Sequence, residues 1–122
     1  MARQTTILCI DDEADMLLLR RKLLESHGFR VITALSGSEA LRLLGEELPV
    51  DLVLLDYVMP EMNGDEVAEE LKRRHSKLPV IIMSGHPELP SSLLERVDGY
   101  VRKGQDPEVV LGVIHRTLAA RG

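Results

Sequence analysis

Apolar residues along this chain follow two rhythms. Short aliphatic and β-branched runs at Thr6–Ile10, Arg30–Ala34, 52–55, 80–83 and Gly99–Arg102 read as strands. Between them, segments near 14–27, 37–47, 64–75, 91–96 and 107–120 repeat apolar residues at helical spacing. Most of the strand runs are too uniformly apolar for a sheet with one wet face, so strict β-α alternation predicts an α/β protein: a parallel sheet covered by helices on both sides.

The helix ends carry local signals. Asp106-Pro107-Glu108 offers a cap, a proline at the first helical position and an acidic first turn. Ser36-Gly37-Ser38-Glu39 opens the second helix in a similar way, and Gly28 stands where a glycine would end the first. The fourth helical segment, "GHPELPSSLLERVDG", contains Pro87 and Pro90, which leaves room for two turns at most, so a short or irregular helix is expected. In the first helix Met16, Leu19, Leu23 and Leu24 form the expected inward stripe. Leu17 and Leu18 lie partly outside it, and are a candidate docking patch for a partner helix, the alternative being wider packing on a neighbouring helix.

A length of 122 residues with 44% apolar composition suits one domain spanning 1–122. The formal net charge of −5 argues against a general affinity for nucleic acid or anionic membrane. No run approaches the roughly 18 apolar residues of a membrane span, and "MARQTT" lacks the apolar core of a signal peptide, so a cytoplasmic location is expected. The sole cysteine, Cys9, lies in an apolar run and is expected as a buried thiol. With only Phe29, Tyr57 and Tyr100 as aromatics, stacking platforms for bases or flavin rings are scarce.

The chemistry gathers at strand ends. "VDLVLLDYVMPEMNG", residues 50–64, is a buried-strand run that ends on Asp56, followed by Met59-Pro60 and an Asn63-Gly64 turn. An ionised carboxylate there needs solvent or a cation. Strand one ends at Asp11-Asp12-Glu13, strand four at Ser84-Gly85 and strand five at Lys103. In parallel α/β sheets ligands bind outside these carboxyl ends. Carboxylates brought close together repel, and a hard divalent cation such as Mg²⁺ relieves them while leaving positions for phosphate oxygens. Lys103 as a point charge and Ser84 as a donor suit a tetrahedral anion, which makes Asp56 the candidate nucleophile for an aspartyl phosphate. Taken alone, Asp11-Asp12-Glu13 reads equally as a cap for the first helix. The histidines, His86 among them, show no metal-ligand spacing.

The set "CIDDE", "LVLLDYVMPEMNG", "IIMSG" and "GYVRKG", in this order and spacing, resembles the receiver domain of two-component response regulators over essentially the whole chain. The resemblance implies a flavodoxin-like (βα)5 fold with strand order 2-1-3-4-5. It implies Asp56 as phosphoacceptor, Asp12 as direct Mg²⁺ ligand, Asp11 as the acid holding a metal-bound water, and the Val58 backbone carbonyl as a further ligand. Ser84 resembles the switch hydroxyl, Lys103 the phosphoryl-binding lysine, and Tyr100 the aromatic that rotates inward with the switch. The implied partners are a histidine kinase or histidine-phosphotransfer protein and a downstream output domain or protein. The last helix, with His115, Arg116 and Arg121, is a candidate face for that output or for a phosphorylation-linked dimer.

There are departures. Gly104 follows the lysine where the family usually has proline, Asn63 replaces a more common aspartate, and the span from Ser84 to Lys103 is short. The turn tolerates Asn63 easily; Gly104 and the abbreviated fourth helix favour an alternative, a degenerate interaction module that kept the fold and lost the switch, which the complete acid-Ser-Lys set opposes. A flavin or nucleotide carrier on the same fold would need a phosphate loop and stacking aromatics that this chain lacks.

Overall fold

The computed structural model describes residues 4–46, 48–57, 63–85 and 88–121; Val58, Met59, Pro60, Met62, His86 and Pro87, on which parts of the sequence reading fall, lie outside them. Five strands, β1 (Thr6–Ile10), β2 (Arg30–Ala34), β3 (Leu52–Asp56), β4 (Val80–Ser84) and β5 (Gly99–Arg102), alternate with α1 (Ala14–Ser26), α2 (Gly37–Gly45), α3 (Gly64–Arg74), α4 (Ser91–Arg96) and α5 (Pro107–Arg121). The strands form one parallel sheet in the order β2-β1-β3-β4-β5. This is the expected flavodoxin-like arrangement. The three inner strands are buried along their whole length, and only the edge strands β2 and β5 carry exposed positions, which is why their composition is mixed.

Strand alternation divides the core in two. Ile7, Cys9, Leu52, Leu54, Ile81, Met83 and Val101 pack toward α1 and α5. Leu8, Ile10, Val53, Leu55, Val80 and Ile82 pack toward α2, α3 and α4. Continuing each strand by one step sends Asp11, Asp56 and Lys103 to the α1/α5 side, and Ser84 to the other. Burial pushes the Cys9 thiol up to about 12, with Asp11 adding to the effect and Arg20 opposing it, so it stays protonated in the core.

Helix ends follow their capping chemistry. Gly28, at φ +87°, ends α1: its N–H donates to Glu25 O at 3.1 Å and the Phe29 N–H to Leu24 O at 3.1 Å, with Phe29 and Leu24 in the same apolar cluster. Ser36 Oγ accepts from the Glu39 N–H at 3.1 Å to start α2. The helical segment expected from 64 begins there, and Asn63, read as part of a turn, caps it: Asn63 Oδ1 accepts from the Glu66 N–H at 3.1 Å and Gly64 is the first helical residue. The short polar side chain that suits a turn also satisfies an open helix terminus.

The α1 stripe requires a correction. Leu17, Arg20 and Leu24 are the buried residues of α1, while Leu19 is 63% exposed. Leu17, at 4% exposure, belongs to the core and not to a docking patch; Leu18, at 51%, stays outside with Leu19. An arginine occupies the inward line, so counting apolar residues alone turns the stripe toward solvent. The α4 expectation holds: six residues follow Pro90, and Leu93 is the one it buries.

Candidate functional site

Asp11 and Asp56 end up close because β1 and β3 are neighbours, with Ile10 level with Leu55. Single carboxylate oxygens of Asp11, Asp12 and Asp56 all lie within 4.8 Å of one another. Asp11 is 0% exposed and Asp56 3%, whereas Asp12 faces solvent. Two buried acids and one exposed acid thus form one cluster with an exposed side.

Lys103 enters from the end of β5. Its N–H donates to Ser84 O at 2.8 Å, which fixes the backbone beyond the strand. Its Nζ lies 2.7 Å from Asp56 Oδ1 and 3.9 Å from Asp11 Oδ2. Burial pushes the Asp56 carboxyl above the usual carboxylate range, Lys103 pulls it back, and the Asp11 and Asp12 charges push it up again.

Asp11 is held from several directions. Its Oδ1 accepts from the Glu13 N–H at 3.0 Å and its Oδ2 pairs with Arg20 Nη1 at 3.3 Å. Glu13 occupies the cap position of α1 and makes no side-chain capping bond. Arg20 is the site residue that sequence reasoning missed. The available signal was its spacing, three after Leu17 and four before Leu24, on the helix that starts beside the acidic pair.

Ser84 is buried at the end of β4, next to β3 and level with Arg102. Tyr100 is half-buried on β5, opposite Ile82, and packs against the cluster on the α4 side. It therefore stands near the strand-end edge but on the face away from Lys103. Of the expected site residues, Asp11, Asp12, Asp56 and Lys103 come together directly, Ser84 shares their edge, Tyr100 lies beside it, and Val58 is outside the described residues.

The donor set suits a hard divalent cation. The three clustered groups are all carboxylates, and one is exposed enough to leave an entry path. No sulfur or imidazole ligand is among them. Lys103 pairs with Asp56 and Arg20 with Asp11.

Comparisons with known proteins identify the family. The profile of the response regulator receiver domain matches residues 7–115. The response regulator SaeR of Staphylococcus aureus (strain USA300) is 33% identical over 113 residues, covering 89% of this chain and 49% of SaeR, so the chain spans about half the length of that relative. A receiver domain protein from Clostridium thermocellum superposes with TM-score 0.88 at 32% identity, covering 96% of each chain. The response regulator TrrA from Thermotoga maritima, solved in complex with Mg²⁺-BeF, superposes with TM-score 0.87 at 28% identity, covering 93% of this chain and 99% of its own. Sheet order, strand-end acids and profile therefore converge, and the chain belongs to the response regulator receiver domain family.

Proposed function

We propose that this chain is an active phosphoacceptor, which takes a phosphoryl group from a phosphohistidine of a histidine kinase or histidine-phosphotransfer protein onto Asp56. The observation that carries the reading is the clustering of Asp56 with Asp11 and Asp12 at one sheet edge, with Lys103 Nζ 2.7 Å from Asp56 Oδ1. An Asp56 carboxylate oxygen forms a bond to phosphorus as the phosphorus–nitrogen bond of the donor breaks, the electron pair leaving on the imidazole. Asp11, Asp12, Asp56 and the Val58 carbonyl would hold Mg²⁺, which when bound offsets negative charge on the transferring group. Lys103 then exchanges part of its hold on Asp56 for a phosphoryl oxygen, and Ser84 donates to another.

The added charge of about −1.5 to −2 biases an existing equilibrium between two arrangements of the β4–α4–β5 edge, with Tyr100 as the aromatic that follows Ser84 inward. The domain supplies the groups for both gain and loss of its phosphate and acts on no separate substrate. The reading goes with a cytoplasmic receiver unit across residues 1–122 that engages proteins, with exposed Leu18 and Leu19 beside the site as the landing place for a kinase helix and α5 for the output partner or a dimer. Direct contact with nucleic acid or membrane is no part of it, in keeping with the net charge of −5.

A second reading, the degenerate module, draws support from Gly104 at φ +88° after Lys103 and from the six-residue α4. Backbone amide NMR with Mg²⁺ and BeF₃⁻ separates the two. An active switch shifts amides around Asp56 and also along β4, α4 and β5. Shifts confined to the site favour the degenerate module, and none at all contradicts the phosphoacceptor role.

A further inference from the structure

Arg20 is the only buried lysine or arginine among the described residues. Its side chain is 7% exposed and it comes from the inward line of α1, between Leu17 and Leu24. Packing alone asks for a third apolar residue there, and a buried guanidinium is costly unless it keeps a charged partner. That partner is Asp11 Oδ2 at 3.3 Å. The other Asp11 oxygen is taken by the Glu13 N–H, and Lys103 is committed to Asp56 at 2.7 Å, standing 3.9 Å from Asp11. Each of the two buried acids therefore has its own cation.

We infer that Arg20 is a built-in counter-cation of the acidic pocket, a positioning residue that holds Asp11 when no metal is bound and weakens the hold of the pocket on Mg²⁺. The inference rests on the metal reading given above. Arg20 and an entering divalent ion are drawn to the same carboxylate and repel each other. With its side chain only 7% exposed, the guanidinium stays close to the carboxylate it shares with the entering ion. Its charge thus favours the metal-free form over the loaded one, and it sets the Mg²⁺ concentration at which the site fills.

The test is calorimetric titration of the whole chain with MgCl₂, together with melting of the metal-free protein, for wild type, Arg20→Met and Arg20→Lys. Methionine keeps much of the stem and removes the charge. Arg20→Met is expected to bind Mg²⁺ about tenfold more tightly than wild type. It should also melt lower without metal and regain that loss in saturating Mg²⁺. Arg20→Lys, which restores the charge, should return the affinity to within about twofold of wild type. If Arg20→Met does not fold, Arg20→Gln carries the same comparison under the same criteria. Equal or weaker Mg²⁺ binding by the uncharged variant overturns the role of Arg20 while leaving the metal site standing. Absence of Mg²⁺ binding in wild type and variant alike overturns both.

Discussion

Asp56 sits at the end of a fully buried strand, with a single short ion pair to Lys103 and two further acids nearby. Its carboxyl lies above the usual range chiefly because burial disfavours the charge. A group whose folded pKa is raised binds more protons in the folded state between the two pKa values. Its contribution therefore declines as pH rises through that window and is unfavourable above it. Asp56→Asn removes the charge, so in EDTA at pH 7 it should melt above wild type by about 1 kcal/mol, roughly 3–6 °C. The gain should shrink as pH falls through the Asp56 titration toward the ordinary carboxylate value, because wild type is then neutral too. Thermal melts across pH check this, and an Asn variant less stable than wild type at pH 7 would contradict it.

Gly104 offers a second test at single-residue scale. At φ +88° it holds a conformation open to glycine and costly for other residues. Proline, the usual family residue here, fixes φ near −65°. Gly104→Pro should therefore not repair the site but rebuild the loop that carries Lys103, lowering stability by about 2 kcal/mol or more in urea denaturation. Most site residues were legible because each stands at the end of an apolar run, where its chemistry is conspicuous: Asp11, Asp12, Asp56, Ser84 and Lys103. Arg20 was not, because an arginine on a helix ordinarily reads as a solvated residue and only the tertiary contact with Asp11 gives it a reason to be inside.

At the scale of elements, the same arginine explains the misplaced face of α1. The helix buries Leu17, Arg20 and Leu24, whereas apolarity alone favours a line through Leu19. Elements with consistent signals were read closely: strands from unbroken apolar runs, α2 from its Ser36 cap, α4 from the prolines before it. Two aspartates escaped notice because their partners are remote in sequence. Asp51 Oδ2 accepts from the Thr6 N–H at 2.8 Å, and Asp98 Oδ2 from the Val80 N–H at 2.8 Å and from Lys72 Nζ at 2.7 Å. Both satisfy strand-start donors at the end of the sheet away from the site. Tyr57, just after β3, and Gly64, opening α3, approach each other closely. The Gly64 N–H donates to Tyr57 O at 2.6 Å, and a Cβ on Gly64 would stand 2.7 Å from Tyr57 Cα and 2.9 Å from its carbonyl oxygen. Backbone cannot swing aside as a side-chain tip can, so Gly64→Ala should cost about 1–3 kcal/mol in denaturant melts. A neutral effect would show that the junction is looser than these contacts imply.

At the scale of the whole molecule, the doubly wound sheet turns distant sequence segments into one site. The strands that end in Asp11, Asp56, Ser84 and Lys103 lie in the order β1-β3-β4-β5, so four contiguous strand ends converge. Strand alternation then divides the positions: Asp11, Asp56 and Lys103 fall on the α1/α5 side of the sheet, and Ser84 and Tyr100 on the α3/α4 side. Among the described residues no helix is long and apolar enough to cross a membrane. The most direct test is the intact mass of the protein after incubation with acetyl phosphate, with and without Mg²⁺, for wild type and Asp56→Asn. A single phosphoryl adduct that requires Mg²⁺ and disappears in the variant is the predicted result. An unmodified, folded wild-type protein that also fails to bind BeF₃⁻, or an adduct that survives in Asp56→Asn, would contradict it.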